Sequence, residues 1–251
     1  MTETAPYEEL LSLIDDRSAA FRAALSVAPD LDARVPGCPD WSLADLVAHL
    51  SGVQRFWSVV VAAADPTGPP SEEARSGFEP QGDLLEWSAE SARLLLAALR
   101  SAGADSPAWT WWGASGAPMT AGAIARHQVQ EAAVHAYDAQ ETIGKPEPLP
   151  AAVAVDGIAE FLSVGAASLG GWPHRPARVT FVATDGPSHV LDLSPSGAVL
   201  DPAASGAPVT TVHAPASDVV LALYGRIPFD TLRVEGDREV LAQLRIWSNP
   251  D

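Results

Sequence analysis

Three side chains on two predicted helices have the types and the spacing of a metal site. His49 lies in WSLADLVAHLSGVQRFW, and Glu131 and His135 lie in IARHQVQEAAVHAYDAQ. Residues four apart share one face of a helix, so Glu131 and His135 point to the same side. Two imidazoles and one carboxylate suit a divalent metal such as zinc, with one coordination position left for chemistry. The pattern therefore predicts a metal centre inside a helical bundle.

The same pattern also has an ordinary explanation. His49 shares an apolar stripe with Leu46 and Val53, and a single inward histidine is more often a core residue than a ligand. The polar stripe that carries Glu131 and His135 is also typical of a solvated helix face. Spacing alone leaves both explanations open.

Composition limits the classes of partner. The 251 residues carry 32 acidic and 15 basic side chains, a net charge of -17, with a single cysteine, Cys38. Such acidity argues against nucleic acid and against an anionic membrane surface as binding partners. One cysteine excludes an intrachain disulfide framework and a multi-cysteine zinc site. With no signal-peptide pattern and only short apolar runs, we expect a soluble, cytoplasmic protein, either a monomer or a homodimer.

Hydrophobic periodicity divides the chain into two regions. Apolar spacing predicts four helices, at 7–27, 42–64, 83–100 and 120–142. Ser42, with the acid Asp45 three residues later, predicts a cap at the start of the second helix. After KPEPLP at 145–150, the pattern predicts a helix at 151–168, strands at 178–184, 189–193 and 208–214, a helix at 216–224, a strand at 231–235 and a last helix at 237–247. We predict an α+β protein: a four-helix bundle over 1–147, then a small α+β domain with a mainly antiparallel sheet over 148–251.

Several segments resemble the mycothiol-dependent maleylpyruvate isomerase family. These are WSLADLVAHLSGVQRFW, PAWTWW, IARHQVQEAAVHAYDAQ and, for the second domain, DVVLALYGRIPFDTLRVEGDREVLAQL. The resemblance implies a DinB-like metal-binding four-helix bundle and a sterol-carrier-like C-terminal domain. It maps the metal ligands of the family onto His49, Glu131 and His135. Many relatives carry histidine at the positions of Gln54 and Gln130.

The resemblance also implies a reaction. A divalent metal, zinc in the first place, would convert the thiol of mycothiol, acting as cosubstrate, into a thiolate. The thiolate would attack a small electrophilic substrate, as an S-transferase or a cis–trans isomerase. One alternative is a non-catalytic small-molecule-binding protein with a structural metal, whose site is closed by four protein ligands. The other is a metal-free bundle with a regulatory or partner-binding role.

Four further residues are candidates for supporting roles. Asp138 follows His135 on the same face and is either an acceptor for a ligand imidazole or an exposed helix-end acid. Arg226 is either an anchor for a substrate or thiol carboxylate or an ordinary helix-end cation. Trp111 is either a wall of the thiol-binding pocket or part of the core. For His127 we expect a surface or supporting position rather than a ligand role.

Overall fold

A computed structural model describes residues 4–200 and 206–248, which group into two compact units. The helical unit comprises 5–113 and 118–147, and the mixed unit is described over residue 4, 114–117, 148–200 and 206–248. The chain is α+β, with helices first and a sheet second, as predicted. The domain ranges 1–147 and 148–251 stay a proposal, which this grouping supports.

Four long helices build the helical unit. They are α1 (Tyr7–Ser26), α2 (Leu43–Ala63), α3 (Leu84–Ala102) and α4 (Ala121–Thr142). The helix α1 packs mainly on α4, and α2 packs mainly on α3, while α2 also contacts α4. Buried residues such as Phe21, Val47, Leu50 and Ala136 form one shared core. The four helices predicted from periodicity therefore form the expected bundle.

Side-chain caps fix where the helices begin. Ser42 Oγ accepts from Asp45 N at 3.1 Å, and Asp45 Oδ2 accepts from Ser42 N at 2.9 Å, which completes a capping box at the start of α2. Asp83 caps α3 and Thr120 caps α4 through their side chains as well. These caps satisfy backbone N–H groups of the first turns and fix the residues at which the helices begin.

A short hairpin precedes α2 and was not predicted. Its strands are β1 (Arg34–Val35) and β2 (Cys38–Ser42), paired antiparallel. Two residues give no recognisable alternation, so periodicity cannot reveal β1. The hairpin matters because β2 ends on Ser42 and carries Trp41 to the beginning of α2.

The mixed unit contains a five-stranded sheet in the order β5-β4-β3-β6-β7. Its elements are α5 (Ala151–Glu160), β3 (Ala177–Ala183), β4 (Ser188–Ser194), β5 (Gly197–Leu200), β6 (Thr210–Ala214), α6 (Ala216–Leu223), β7 (Arg233–Gly236) and α7 (Glu239–Trp247). Every neighbouring pair is antiparallel except β3 and β6, which are parallel. The prediction of a mainly antiparallel sheet is confirmed. The strand β5 was missed because GAVL is too short to alternate visibly.

The first helix of the mixed unit departs from regular geometry. Beyond Glu160 it continues through a π-helical turn, Phe161–Gly165, and a 3₁₀ turn, Ala166–Ser168. The predicted helix 151–168 thus has the right extent but three hydrogen-bonding patterns. Predicted starts at 231 and 237 were each two residues early, since β7 begins at Arg233 and α7 at Glu239.

Two helical stretches are long and apolar enough to cross a bilayer by length and composition alone. They are Leu43–Ala63 and Ala151–Ser168. Core helices of folded proteins have the same properties, and about half of each apolar window is buried within the protein. The expectation that no membrane is involved stays an expectation.

Replacing Ser42 with alanine is expected to lower the free energy of unfolding by about 1 kcal/mol, because the amide of Asp45 loses its acceptor. Urea unfolding followed by circular dichroism measures this. The matched control is Ser12→Ala on the exposed face of α1, expected to change stability by less than about 0.5 kcal/mol. Equal effects of the two substitutions would contradict the capping role.

Candidate metal centre

Helices α2 and α4 bring His49, Glu131 and His135 together. Oε2 of Glu131 lies 3.9 Å from Nε2 of His49 and 3.5 Å from Nε2 of His135. One donor atom from each residue lies within 4.8 Å of the other two. The two imidazole rings are 5.0 Å apart, at nearly right angles. The three residues predicted from the sequence to form a metal site therefore lie together in the structure.

The spacing of these donor atoms suits a divalent ion. Zinc ligands at about 2.0–2.2 Å from the ion lie roughly 3.4 Å from one another in a tetrahedron. The measured separations of 3.5 and 3.9 Å approach that value. Small side-chain movements would bring all three donors onto one ion. Among the described residues the set has three members, which would leave one tetrahedral position for another molecule.

Asp138 contacts His135 at Nδ1, the ring nitrogen that does not face Glu131. Its Oδ2 lies 2.9 Å from Nδ1 of His135, and its side chain is fully buried. A carboxylate on one ring nitrogen directs the other nitrogen, Nε2, toward the ion and fixes the orientation of the ring. The alternative of an exposed helix-end acid is wrong, because Asp138 has no accessible surface.

Charge is concentrated on Glu131 and His135. Burial by itself would raise the pKa of Glu131, but the imidazoles of His135 and His49 together with His127 hold it well below its ordinary value. Burial would likewise lower the pKa of His135, yet Asp138 and Glu131 raise it to about 9. Because a histidine binds a metal through a deprotonated nitrogen, metal binding would compete with protonation of His135.

His127 occupies a supporting position that spacing only suggested. Its Nε2 lies 3.6 Å from Oε1 of Glu131, whereas the other two histidines approach Oε2. The ring lies 5.1 Å from that of Trp112 and 5.6 Å from that of Trp111. The surface alternative for His127 is wrong, because its side chain is only 11% exposed. Its spacing of four residues from Glu131 was the available signal.

Trp41 is a neighbour of the cluster that sequence reasoning missed. Its ring centroid lies 4.6 Å from that of His49 and 6.4 Å from that of His135. The indole thus covers one side of both imidazoles and limits their rotation. Trp41 opens the WSLADLVAHLSGVQRFW segment that carries the family resemblance, but no site role was assigned to it from the sequence, since the hairpin that positions it was not predicted.

An open cleft of about 450 Å³ adjoins the cluster. His49, Glu131 and His127 are its polar lining residues. The remaining wall consists of apolar or aromatic residues and one glycine: Ala48, Gly52, Val53, Phe56, Trp57 and Trp111. Trp111 lines this cleft and is 46% exposed, while Trp112 is buried and donates from Nε1 to the Pro118 carbonyl. Of the three tryptophans in the 109–112 segment, Trp111 alone is on the cleft wall.

Two departures from the resembling family have structural explanations. Gln54 is buried and donates from Nε2 to Ser18 Oγ at 2.9 Å, so it serves the contact between α1 and α2. Gln130 is completely buried. Neither belongs to the three-residue donor set.

Arg226 belongs to the mixed unit and follows α6. Its Nη1 donates to the carbonyl of Tyr224 at 2.8 Å. Burial and the positive charge of Arg226 both lower the pKa of Arg245. The guanidinium of Arg245 lies against Gly225, where a Cβ atom would overlap it. Anion binding by Arg226 stays a prediction.

Comparison with protein families decides the relationship of this chain. The family model described as the mycothiol maleylpyruvate isomerase N-terminal domain matches residues 11–140, and the model of the C-terminal domain matches residues 152–243. The chain belongs to the mycothiol maleylpyruvate isomerase family. The family matches cover both regions from which the resemblance was inferred.

Solved structures give the same fold. A crystal structure of the mycothiol-dependent maleylpyruvate isomerase is 18% identical, with a TM-score of 0.62, over 93% of this chain and 96% of that one. A histidine-to-alanine mutant of that isomerase gives 19% identity and a TM-score of 0.59 over the same shares. At such identity the likeness shows the maleylpyruvate isomerase fold. A search of curated proteins finds no match.

Substituting His135 with alanine is expected to abolish metal retention, because the remaining His49 and Glu131 supply only two donors. Elemental analysis of protein purified without chelator measures the metal. His174→Ala, which removes an exposed histidine of the mixed unit, is the matched control and is expected to retain metal. A His135→Ala protein that keeps one equivalent would remove the assignment.

Exchanging Asp138 for asparagine is expected to weaken metal binding about 10- to 100-fold, because the neutral amide holds the His135 ring less firmly. Competition with a chromophoric chelator measures the affinity. Asp105→Asn, on an exposed turn, provides the control. Unchanged affinity in Asp138→Asn would mean that Asp138 serves only the packing of α4.

Proposed function

We propose that this protein is a metal-dependent enzyme that activates a low-molecular-weight thiol, mycothiol in the first place, for attack on a small electrophile. The observation that carries the proposal is the group of three donor atoms, from His49, Glu131 and His135, within 4.8 Å of one another at the end of a cleft. Membership in the mycothiol maleylpyruvate isomerase family supports the choice of thiol. The similar solved structures are those of a maleylpyruvate isomerase, which supports an isomerase-type reaction.

The chemistry follows from an incomplete donor set. A bound divalent cation with one open position, zinc by preference, lowers the pKa of a thiol that enters it and so supplies a nucleophilic sulfur at neutral pH. His49, Glu131 and His135 would hold that cation. Asp138 keeps Nε2 of His135 directed at it, and His127 lies against the outer oxygen of Glu131.

The wall of the cleft is mainly apolar and aromatic. Trp41 lies beside His49, with ring centroids 4.6 Å apart, and Phe56, Trp57 and Trp111 line the cleft. These aromatic side chains would contact the body of an electrophile that enters the cleft.

Two outcomes are consistent with this arrangement. In an isomerase, the sulfur adds to a cis double bond, the resulting single bond rotates, and elimination gives the trans product and the free thiol. In an S-transferase, the thioether is released. The family and the similar structures favour the isomerase outcome, and separation of the reaction products distinguishes the two.

A non-catalytic protein with a structural metal is the alternative function. Structural zinc sites are closed by four protein ligands, whereas catalytic sites leave a position open. The three-membered donor set among the described residues favours the catalytic form. Asp138 does not complete the set, because its carboxylate faces Nδ1 of His135.

The direct test is incubation of the metal-loaded protein with mycothiol and maleylpyruvate, with products separated by mass and by isomer. We expect thiol-dependent formation of the trans isomer or of a thioether, and loss of either in His135→Ala. The His174→Ala variant is expected to remain active. Absence of any thiol-dependent product with mycothiol, glutathione and cysteine would contradict the proposal.

Arg226→Gln is expected to leave metal content intact while lowering kcat/KM about 10- to 100-fold for a carboxylate-bearing substrate, the loss expected for a charged hydrogen bond. Metal analysis and steady-state kinetics measure the two quantities. The matched control is Arg233→Gln, an exposed arginine of β7. Loss of the folded state in Arg226→Gln, seen by circular dichroism, would assign Arg226 a structural role instead.

A further inference from the structure

The described lining of the cleft beside the metal centre contains no lysine or arginine. Its polar groups are His49, His127 and Glu131. The rest of the wall is made of aliphatic and aromatic side chains and Gly52. Among the nine lining residues, only His49 and His127 could pair with a carboxylate, and both already face Glu131.

The charge of the sequence points the same way. The chain has a net charge of -17, and most of it falls in the first 148 residues, which include every residue of the cleft. Burying an unpaired carboxylate against apolar side chains is costly, whereas burying an uncharged planar group is favourable. An acidic surround also lowers the local concentration of anions.

The wall is shaped for flat groups. Phe56 and Trp57 meet edge to face with ring centroids 5.2 Å apart, and Trp111 presents a partly exposed indole to the cleft. Aromatic faces and edges of this kind pack well against a conjugated or aromatic ligand. The side chains of the cleft wall thus favour a ligand that is both uncharged and planar.

Gly52 keeps the cleft open. It lies in the interior of α2, where glycine is unfavourable relative to alanine. A Cβ atom there would meet only the carbonyl oxygen of Phe78, at 3.9 Å, which is ordinary contact. Packing within the bundle therefore does not require glycine, and a side chain at this position would occupy part of the cleft.

We infer that the cleft binds an uncharged, planar electrophile, aromatic or conjugated, in preference to a di- or monocarboxylate. The inference rests on the proposed function, because it names the class of molecule that the activated thiol attacks. With a chloro-dinitrobenzene, the thiol sulfur forms a bond to the ring carbon, the carbon–chlorine bond breaks, chloride leaves, and the thiol proton passes to solvent.

Binding to the metal-free protein tests the inference without any turnover. The probes are 1,3-dinitrobenzene and 3,5-dinitrobenzoate, which share a ring and differ in one carboxylate, and equilibrium dialysis gives the two affinities. We expect the uncharged probe to bind at least about tenfold more tightly. Equal affinity, tighter binding of the carboxylate, or no binding of either would overturn the inference.

Two substitutions locate the binding. Gly52→Leu is expected to weaken binding of 1,3-dinitrobenzene at least about fivefold, an intermediate effect is expected for Gly52→Ala, and metal content should be unchanged. Ala62→Leu adds a leucine side chain at an exposed position of α2 and is expected to leave binding as it was. If Gly52→Leu binds the probe as well as Ala62→Leu does, the site is elsewhere and the inference fails.

Turnover separates this inference from the proposed function. The metal-loaded protein receives mycothiol with 1-chloro-2,4-dinitrobenzene or with 4-chloro-3,5-dinitrobenzoate, and rates are corrected for the uncatalysed reaction. We expect kcat/KM to be at least about tenfold higher for the uncharged substrate. Thiol-dependent turnover that favours the carboxylate would retain the proposed function and overturn the inference. No turnover of either substrate or of maleylpyruvate would remove the proposed function, while the dialysis result would still decide what the cleft binds.

Discussion

The candidate metal centre of the helical unit depends on the contacts between the Glu131 carboxylate and three histidines. One oxygen faces His49 and His135, and the other faces His127, so a single acid engages three imidazoles. A carboxylate at this position would be costly without such partners, because it lies beside an apolar, aromatic wall. The partners come from α2 and α4, so the bundle must hold those two helices at a fixed separation for the cluster to exist.

Several structural features follow from that requirement. The polar stripe of α4 is largely buried, since Gln128, His135 and Asp138 have little or no accessible surface. Other helices cover this stripe, and Asp138 within it is paired with Nδ1 of His135. The hairpin before α2 adds Trp41 as a cover over the imidazoles and delivers Ser42 to cap the helix that carries His49.

Prediction from sequence succeeded where local periodicity carries the information. The spacing of Glu131 and His135 placed them on one face, and the Ser42 cap was recognised from a hydroxyl with an acid three residues later. Prediction failed where a contact depends on distant segments. The environment of His127 depends on an aromatic loop as well as on α4, and the parallel pairing of β3 with β6 joins strands about thirty residues apart, which no local pattern encodes.

By itself, the sequence determined the helices, their caps, the donor types and the class of fold, because these depend on side-chain chemistry and on repeats of 3.6 or two residues. Only the tertiary structure decided that His49 lies beside Glu131, that Asp138 is buried, and that a cleft whose described lining lacks a lysine or arginine adjoins the cluster. These features arise from the packing of one helix on another. The separation of two side chains across that interface is set by all the residues between the helices, and a periodic pattern along one helix carries no record of it.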